Sequence, residues 1–296
     1  AVLSAAGDTK RPLYYLAFAG VVNVILNLFF VIVCHLGVAG VALASMISQF
    51  ISAFLILRAL LTGKEKYCLR LSEIRFDKRK AAGILQIGIP SAFQYSLFAF
   101  ANLFVQSSVN SFDHVLVEGN SAAANADPLV YDMMAAFYTA CSSFIAQNFG
   151  ARKKKRILQT YLICLFYSFI TSLVLGVGIY LARYPFLYLF TSDKAVVEAG
   201  ITRLSIMALS YSASAFMDAS IAASRGLGKT AVPTFVVVMG SCVFRIIWIY
   251  TIFAYFHTIQ SLYILYVFSW GITAIAENIY FFHVYRHTLT EKKELC

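Results

Sequence analysis

Charged side chains are scarce in this chain of 296 residues, where Asp, Glu, Lys and Arg together make up only 13%. Soluble globular domains contain about 25% of such residues. Hydrophobic residues make up 60%, and the mean hydropathy is +0.75. The shortage of charge argues against a water-soluble domain and indicates an integral membrane protein.

Motifs for metal binding and covalent chemistry are also lacking. The six cysteines, at positions 34, 68, 141, 164, 242 and 296, show no Cys-x-x-Cys or Cys/His ligand spacing, which predicts reduced thiols and no structural metal. There is no His-Glu-x-x-His motif and no Gly-x-x-x-x-Gly-Lys-Ser/Thr phosphate loop, the signatures of zinc hydrolases and of nucleotide-driven pumps. We therefore expect neither an enzyme nor an ATP-driven pump, and no organic cofactor.

Eight apolar stretches are long enough to cross the hydrocarbon core as helices, which takes about 20 residues. They run over 13–34, 40–61, 84–110, 128–149, 157–182, 204–224, 231–256 and 259–285. Their hydrophobicity is continuous rather than alternating, unlike that of membrane β-strands. The predicted fold is all-α and spans the membrane eight times.

Basic residues are distributed unevenly between the connections. Twenty of the 24 lysines and arginines lie before the first span, after the second, fourth and sixth spans, and in the tail, counting Arg58 near the end of the second span with the connection that follows it. The opposite connections hold Arg183, Lys194 and Arg203, together with the acidic segment 111–120. By the positive-inside rule the basic side is cytoplasmic, and both ends of the chain face it. The net charge of +10 is thus a topology signal, and we expect no nucleic-acid partner.

A short turn of the pattern Gly-x-Thr-x-x-Pro occurs twice, in the same orientation, with six spans between the copies. The copies are Gly7, Thr9 and Pro12, and then, 221 residues later, Gly228, Thr230 and Pro233. In each copy glycine is placed to end one helix and proline to begin the next. Two spans and a basic segment follow each copy, and this pattern predicts a parallel repeat of the kind found in transporters.

The repeat defines the predicted domains. Residues 1–61 correspond to the last two helices of an N-terminal bundle, 62–80 to a basic cytoplasmic linker, and 81–296 to a complete C-terminal bundle of six helices. If the two bundles are equal, the intact protein has twelve helices in two six-helix bundles, of which this chain contains eight, and four precede its first residue.

Ionisable residues inside the spans are the first functional candidates, because a charge in lipid is costly. Asp218 lies roughly 10 Å inside the basic edge; it is either a site for Na⁺, H⁺ or a cationic substrate, or part of an ion pair between helices. Arg245 needs a partner near the middle of the membrane, and Asp218 and Glu277 are the available counter-ions. Asp132 is expected at the start of the fourth span, as a solvated residue at a helix end.

Uncharged polar residues share helix faces and are candidates for lining a cavity. They are Gln94, Asn102 and Gln106 on the third span, Asn23 and Asn27 on the first, and Gln49 on the second. Such residues either line a water-filled cavity or hold helices together by hydrogen bonds.

Several stretches resemble bacterial multidrug and toxic compound extrusion (MATE) transporters, and their order extends over essentially the whole chain. They are "GDTKRPLYYLAFAGVVNVILNLFFVIV", "GVAGVALASMISQF", "GIPSAFQYSLFAFANLFVQSSVNSF", "AQNFGARKKKRI" and "RGLGKTAVPTFVVVMGSCVFRIIWIY". The resemblance implies export of bulky, often cationic compounds in exchange for Na⁺ or H⁺. We accordingly expect a monomer in the bacterial inner membrane, with the lipid bilayer and drug-like molecules as its partners.

The chain also departs from the pattern of that family. In Na⁺-coupled relatives the first helix of the second lobe carries a glutamate where this chain has Phe98, although Asp218 resembles an acidic Na⁺ ligand of some members. Proton-coupled relatives use an aspartate on a first helix that this chain does not contain. The coupling ion is therefore left open. An exporter or flippase of lipid-linked saccharides from the same superfamily is the alternative, but it would need more cationic residues facing the cavity than Arg245.

Overall fold

The computed structural model describes residues 2–63 and 68–287, which form helices and their connections without strands. Eight helices are long and apolar enough to cross a membrane: α1 Lys10–Val33, α2 Gly37–Thr62, α3 Lys78–Val109, α4 His114–Gly150, α5 Lys154–Leu181, α6 Lys194–Gly226, α7 Ala231–Phe256 and α8 Ile259–His287. Shorter helical segments are Val2–Ala5, Leu71–Glu73 and Arg183–Tyr188. The predicted all-α fold with eight spans is confirmed.

Helix α6 begins earlier than predicted, and α4 contains a helical segment before the predicted span. The Asp113 carboxylate accepts a hydrogen bond from the Leu116 N–H at 2.9 Å and caps this segment, His114–Ala124, whereas the second segment of α4, Ala126–Gly150, begins close to the predicted residue 128. The Asp193 carboxylate likewise accepts from the Ala195 N–H at 2.8 Å, and α6 begins at Lys194 rather than at 204. Such capping satisfies backbone donors that helix ends leave free. The prediction that 111–120 is a loop is wrong, because most of this segment is helical.

The chain divides into two units, Ala1–Asp77 and Lys78–Cys296. The N-terminal unit contains α1 and α2, and the C-terminal unit contains α3 to α8. The boundary lies within the predicted linker 62–80, of which residues 64–67 lie outside the described part of the chain.

The first copy of the repeated turn ends the short helix Val2–Ala5. Gly7 has a φ of +92°, a left-handed conformation that glycine adopts without steric cost. The Gly7 N–H donates to the Ser4 carbonyl at 3.0 Å and the Asp8 N–H to the Leu3 carbonyl at 2.9 Å. These two hydrogen bonds form a common helix C-cap, which provides donors for carbonyl groups that the end of the helix leaves without a partner.

The second copy, at the end of α6, repeats the first bond for bond. Gly228 has a φ of +77°; its N–H donates to the Arg225 carbonyl at 2.8 Å, and the Lys229 N–H donates to the Ser224 carbonyl at 3.0 Å. Each donor and acceptor lies 221 residues after its counterpart in the first copy. The two copies of the turn therefore have the same backbone conformation and the same hydrogen bonds.

The far ends of the repeated helices also correspond. His35, after α1, has a φ of +53°, and His257, after α7, has a φ of +48°. A π-helical turn precedes each histidine, at Phe29–Val33 and at Ile249–Phe253. The correspondence therefore includes both ends of these helices, although α7 contains a further π-helical turn, Val238–Val243, where α1 is regular α-helix.

Helix α6 is the centre of the C-terminal unit and packs against α4, α5 and α8. Its sequence is rich in Ser and Ala, and small residues allow neighbouring backbones to approach closely. A Cβ atom at Gly176 of α5 would lie 2.0 Å from the Ala208 carbonyl oxygen of α6. A Cβ atom at Gly119 of α4 would lie 2.8 Å from the Gly200 nitrogen. Helix α6 is thus held between close neighbours, and its polar residues lie inside the unit.

Candidate functional site

Two cavities lie along the C-terminal unit, one nearer each end of its helices. We call the end at Lys78, Lys154 and Gly226 the basic end, and the other the far end. The basic-end cavity has a volume of about 300 Å³ and the far-end cavity one of about 280 Å³. Both are lined by residues of α3, α4, α6 and α8, and Phe98, Tyr131 and Trp270 belong to the walls of both.

The basic-end cavity contains two carboxylates and one guanidinium group, from Asp132, Asp218 and Arg225. Arg225 donates to the Tyr138 hydroxyl at 2.6 Å and to Gln94 Oε1 at 2.9 Å. Neither carboxylate forms an ion pair within residues 2–63 and 68–287. The cavity therefore presents two acidic groups that have no salt-bridge partner in the described chain.

The structure places Asp132 in the second turn of the helical segment Ala126–Gly150, where its side chain is exposed. It also lines the same cavity as Asp218. The prediction of a solvated residue near the start of the fourth span agrees with this exposure, and the cavity is an addition to it. Arg225 was assigned to the basic connection after the sixth span, whereas the structure places it in the last turn of α6 and in the cavity wall.

The three polar residues predicted to share a face of the third span all line cavities. Gln94 lies in the wall of the basic-end cavity, and Asn102 and Gln106 lie in the wall of the far-end cavity. Gln106 Nε2 donates to Asn110 Oδ1 at 2.9 Å. Phe98, at the position where Na⁺-coupled relatives are expected to carry a glutamate, separates these residues in the sequence and belongs to both walls.

The far-end cavity contains an ion pair that the sequence did not reveal. Arg203 Nη2 lies 2.6 Å from Asp127 Oδ2, and their side chains are 9% and 25% exposed. The Tyr211 hydroxyl donates to the same carboxylate, and Arg203 Nη1 donates to Asn120 Oδ1 at 3.1 Å. Arg203 had been counted among the connections. The small residues that precede Asp127, in "GNSAAANAD", were the available signal for close packing at this point.

Arg245 is fully buried, but it pairs with neither of the predicted counter-ions. Its Nη1 donates to Asn102 Oδ1 at 2.7 Å and its Nε to the Ser269 hydroxyl at 3.3 Å. The guanidinium carbon lies 4.6 Å from the centroid of the Phe98 ring and 4.5 Å from that of Tyr266. An amide, a hydroxyl and two aromatic faces thus replace the carboxylate, since aromatic rings attract cations through their faces. The predicted pairing of Arg245 with Asp218 or Glu277 is wrong.

Glu277 on α8 is fully buried and lines neither cavity. Both of its carboxyl oxygens lack a hydrogen-bond partner in the described part of the chain. Arg225 interacts with this residue electrostatically, as it does with Asp218. Arg225 is therefore the cation associated with both candidate carboxylates.

The polar candidates of the N-terminal unit form hydrogen bonds between α1 and α2. Asn23 Nδ2 donates to the Ser48 hydroxyl at 3.2 Å, and Asn27 Nδ2 donates to Asn23 Oδ1 at 3.0 Å. Asn23, Ser48 and Gln49 also line a polar groove of about 230 Å³ within this unit. These polar residues therefore do both things that were considered as alternatives: they form hydrogen bonds between α1 and α2, and they line a groove.

The cysteines within the described ranges, Cys34, Cys68, Cys141, Cys164 and Cys242, are free thiols. Cys296 lies outside those ranges. Residues 2–63 and 68–287 contain no group of three or more His, Cys, Asp or Glu side chains with the geometry of a metal site.

Eight apolar helices, with polar cavities enclosed among them, define a multi-pass helical membrane protein. Residues 90–251 match the MatE family, and the chain belongs to that family. This assignment agrees with the resemblance seen in the sequence.

Three curated relatives are named as multidrug resistance proteins or as a transporter. The chain is 33% identical over 157 residues to a probable multidrug resistance protein, YpnP, of Bacillus subtilis, a match that covers 53% of this chain and 35% of YpnP. It is 24% identical over 242 residues to the probable multidrug resistance protein NorM of Thermotoga maritima, covering 79% of this chain and 51% of NorM. It is also 24% identical over 203 residues to an FAD transporter of Shewanella oneidensis, covering 66% and 44%. The chain spans about half or less of the length of these relatives.

Solved structures share the fold at low sequence identity. A MOP superfamily transporter from Pyrococcus furiosus, described as having a binding pocket of reverse polarity, aligns with a TM-score of 0.88 and 20% identity over 96% of this chain and 64% of its own. A variant of the Vibrio cholerae MATE transporter VcmN aligns with a TM-score of 0.85 and 19% identity, with the same coverage.

Proposed function

We propose that the protein is a secondary active exporter that exchanges organic, often cationic compounds for Na⁺ or H⁺. The observation that carries this proposal is the basic-end cavity, where Asp132 and Asp218 have no ion-pair partner in the described chain and Arg225 supplies the one positive charge of the lining. An intramembrane carboxylate facing a cavity is typical of ion and substrate pathways. The relatives named for multidrug resistance support the same activity.

The aromatic wall of this cavity suits an organic cation. Tyr95, Phe98, Tyr131, Tyr138 and Trp270 contribute to the lining. Aromatic faces bind organic cations with about 0.5–2 kcal/mol each, and the carboxylates add the long-range attraction. One cavity therefore offers a bulky organic cation both negatively charged groups and apolar contacts.

Exchange follows if the coupling ion and the substrate compete for Asp218. A ligand shifts the equilibrium between inward-facing and outward-facing states only by its difference in affinity for the two. When Na⁺ or H⁺ occupies the carboxylate its attraction for the organic cation is lost, so that entry of the ion on one side releases the substrate there. The transporter acts as a monomer in the bacterial inner membrane, with the ends of this chain in the cytoplasm, as the distribution of basic residues indicates.

Transport by the protein expressed from its complete gene tests this function. In proteoliposomes, we expect an imposed Na⁺ or pH gradient to drive uptake of a fluorescent organic cation. Asp218→Asn removes the charge but keeps the shape, and it should reduce uptake to that of protein-free liposomes. The matched control is Glu198→Gln, which changes an exposed carboxylate of the same helix and should leave uptake intact.

The outcomes separate the alternatives. Uptake that persists in Asp218→Asn would show that Asp218 is not the residue that couples transport to the ion. Absence of uptake under both gradients would contradict antiport of organic cations.

The second candidate function is flipping or export of a lipid-linked saccharide. It is favoured by one observation: Arg203 lines the far-end cavity, and Arg245 is bonded to Asn102 in the wall of that cavity. Two buried guanidinium groups thus lie at this cavity, and guanidinium groups suit phosphate, although Asp127 in the same wall pairs with Arg203 and leaves Arg245 as the guanidinium without a carboxylate partner. Movement of a labelled polyprenyl-pyrophosphate saccharide across vesicles that contain the protein would support this candidate, and movement equal to that of empty vesicles would exclude it.

A further inference from the structure

Glu277 lies in surroundings that do not accommodate a charged carboxylate. The residue is fully buried in the half of α8 nearer the basic end, and neither oxygen has a hydrogen-bond partner in the described chain. An ionised carboxylate without partners is strongly disfavoured in such a site, and buried groups in this situation are held in the neutral form. The side chain therefore requires either a proton or a cation that completes its interactions.

The geometry favours a proton. A metal cation needs several oxygen ligands arranged around it. Glu277 lines neither of the two cavities, and residues 2–63 and 68–287 contain no group of three His, Cys, Asp or Glu side chains suited to a metal. A proton requires no such space. Two further hydroxyl oxygens, Ser224 Oγ and Thr234 Oγ1, are also buried and unpartnered on the helices that pack against α8.

Charged and titratable groups occur on the helices that surround Glu277. They include Tyr95 on α3, Tyr161 on α5, Asp218 and Arg225 on α6, Cys242 and Arg245 on α7, and Tyr280 on α8 itself. Of these, Arg225 and Tyr280 interact electrostatically with Glu277. Tyr161 is bonded instead to Asn278 at 2.5 Å and to Ser220 at 3.0 Å. Arg225 is thus the one cation that acts on Glu277 within the described chain.

Arg225 connects Glu277 to the basic-end cavity. Its two terminal nitrogens are bonded to Tyr138 and Gln94 in the cavity wall, while its Nε is buried and unpartnered. An organic cation next to Asp218 would repel this guanidinium group. Movement of Arg225 from Gln94 and Tyr138 towards Glu277 would supply the positive charge that an ionised carboxylate needs.

We infer that Glu277 is the proton-binding residue of the C-terminal unit, protonated when the cavity is empty and ionised when Arg225 turns towards it. The step breaks the O–H bond of the Glu277 carboxyl and leaves the proton on a water molecule, while Arg225, turned away from the cavity wall, becomes the counter-ion of the resulting carboxylate. One proton leaves for each organic cation that binds. This inference rests on the proposed function, because it names H⁺ as an ion of the antiport and Glu277 as the residue that binds it.

Infrared spectroscopy of the protein expressed from its complete gene, in lipid nanodiscs, tests the protonation directly. A protonated carboxyl group has a carbonyl stretching band that a carboxylate lacks. At neutral pH and without substrate, we expect this band in the wild type and in the control Glu198→Gln, and its loss in Glu277→Gln. Addition of tetraphenylphosphonium should remove the band from the wild type but leave it in Arg225→Gln, which cannot supply the counter-ion.

Identical carboxyl bands in the wild type and in Glu277→Gln would overturn the inference. It would also be overturned if the wild type binds tetraphenylphosphonium but its carboxyl band stays unchanged. Uptake in proteoliposomes separates this failure from that of the proposed function. Wild-type uptake driven by a pH gradient and lost in Glu277→Gln supports the inference; equal uptake by both overturns it and leaves antiport intact. No wild-type uptake under any gradient overturns the antiport itself, whatever the band shows.

Discussion

Asp127→Ala is expected to lower the free energy of unfolding of the protein by about 3 kcal/mol, the lower end of the range for removing one partner of a buried ion pair. The change leaves the Arg203 guanidinium, which is 9% exposed, without its counter-ion. It also leaves the Tyr211 hydroxyl without the acceptor it has in the structure. We use the lower end of this energy range because the Asp127 side chain is 25% exposed and is therefore only partly desolvated. Thermal unfolding of the purified protein in detergent measures the effect.

Two further variants show whether charge is the cause. Asp127→Asn keeps an oxygen that accepts hydrogen bonds and should destabilise the protein less than alanine does. Glu198→Gln changes an exposed carboxylate on α6 and should have little effect, because surface ion pairs contribute about 0–1 kcal/mol. Equal stability of Asp127→Ala and Glu198→Gln would contradict the structural role of the Arg203–Asp127 pair.

Gly176→Ala is expected to destabilise the protein by about 3 kcal/mol or more, at or beyond the upper end of the usual cost of overpacking. Its Cβ atom would lie 2.0 Å from the Ala208 carbonyl oxygen, and this neighbour is backbone, which cannot turn aside as a flexible side chain can. Helices α5 and α6 would have to separate. The yield of folded protein and its unfolding temperature in detergent are the appropriate measurements.

Gly178 provides the matched control, two residues further along the same helix. A Cβ atom at Gly178 meets nothing within 4 Å, and alanine is favoured over glycine in helices by roughly 0.5–1 kcal/mol. Gly178→Ala should therefore be neutral or slightly stabilising. A similar loss of stability in both variants would show that the close approach of α5 to α6 is not what holds α6 in place.

Features that depend on neighbouring residues could be predicted from the sequence. The eight spans follow from continuous hydropathy, and the repeated turn follows from the conformational needs of Gly7 and Gly228, which both adopt positive φ. The shared face of Gln94, Asn102 and Gln106 also follows, because helical spacing alone places side chains on one side. These features require no knowledge of how the helices pack.

The partners of buried charges could not be predicted, because they depend on packing between distant helices. Arg203 and Asp127 are 76 residues apart, and both lie where capped helices extend beyond the apolar spans. The rule that a buried cation needs a carboxylate also failed for Arg245. Asn102 and two aromatic rings satisfy its guanidinium group instead, and nothing in the local sequence distinguishes this solution from an ion pair.

The central claim is that an organic cation and the coupling ion exclude one another at Asp218. The most direct measurement is the dissociation constant of a fluorescent organic cation for the purified protein, titrated at increasing Na⁺ concentration and, separately, at decreasing pH. The account predicts that one of these ions weakens binding by the wild type. It also predicts that Asp218→Asn binds the cation roughly tenfold more weakly, a loss of about 1.4 kcal/mol, with no remaining dependence on Na⁺, whereas a dependence on pH that persists in this variant is the part that Glu277 contributes. Wild-type binding that is independent of both ions would contradict the account.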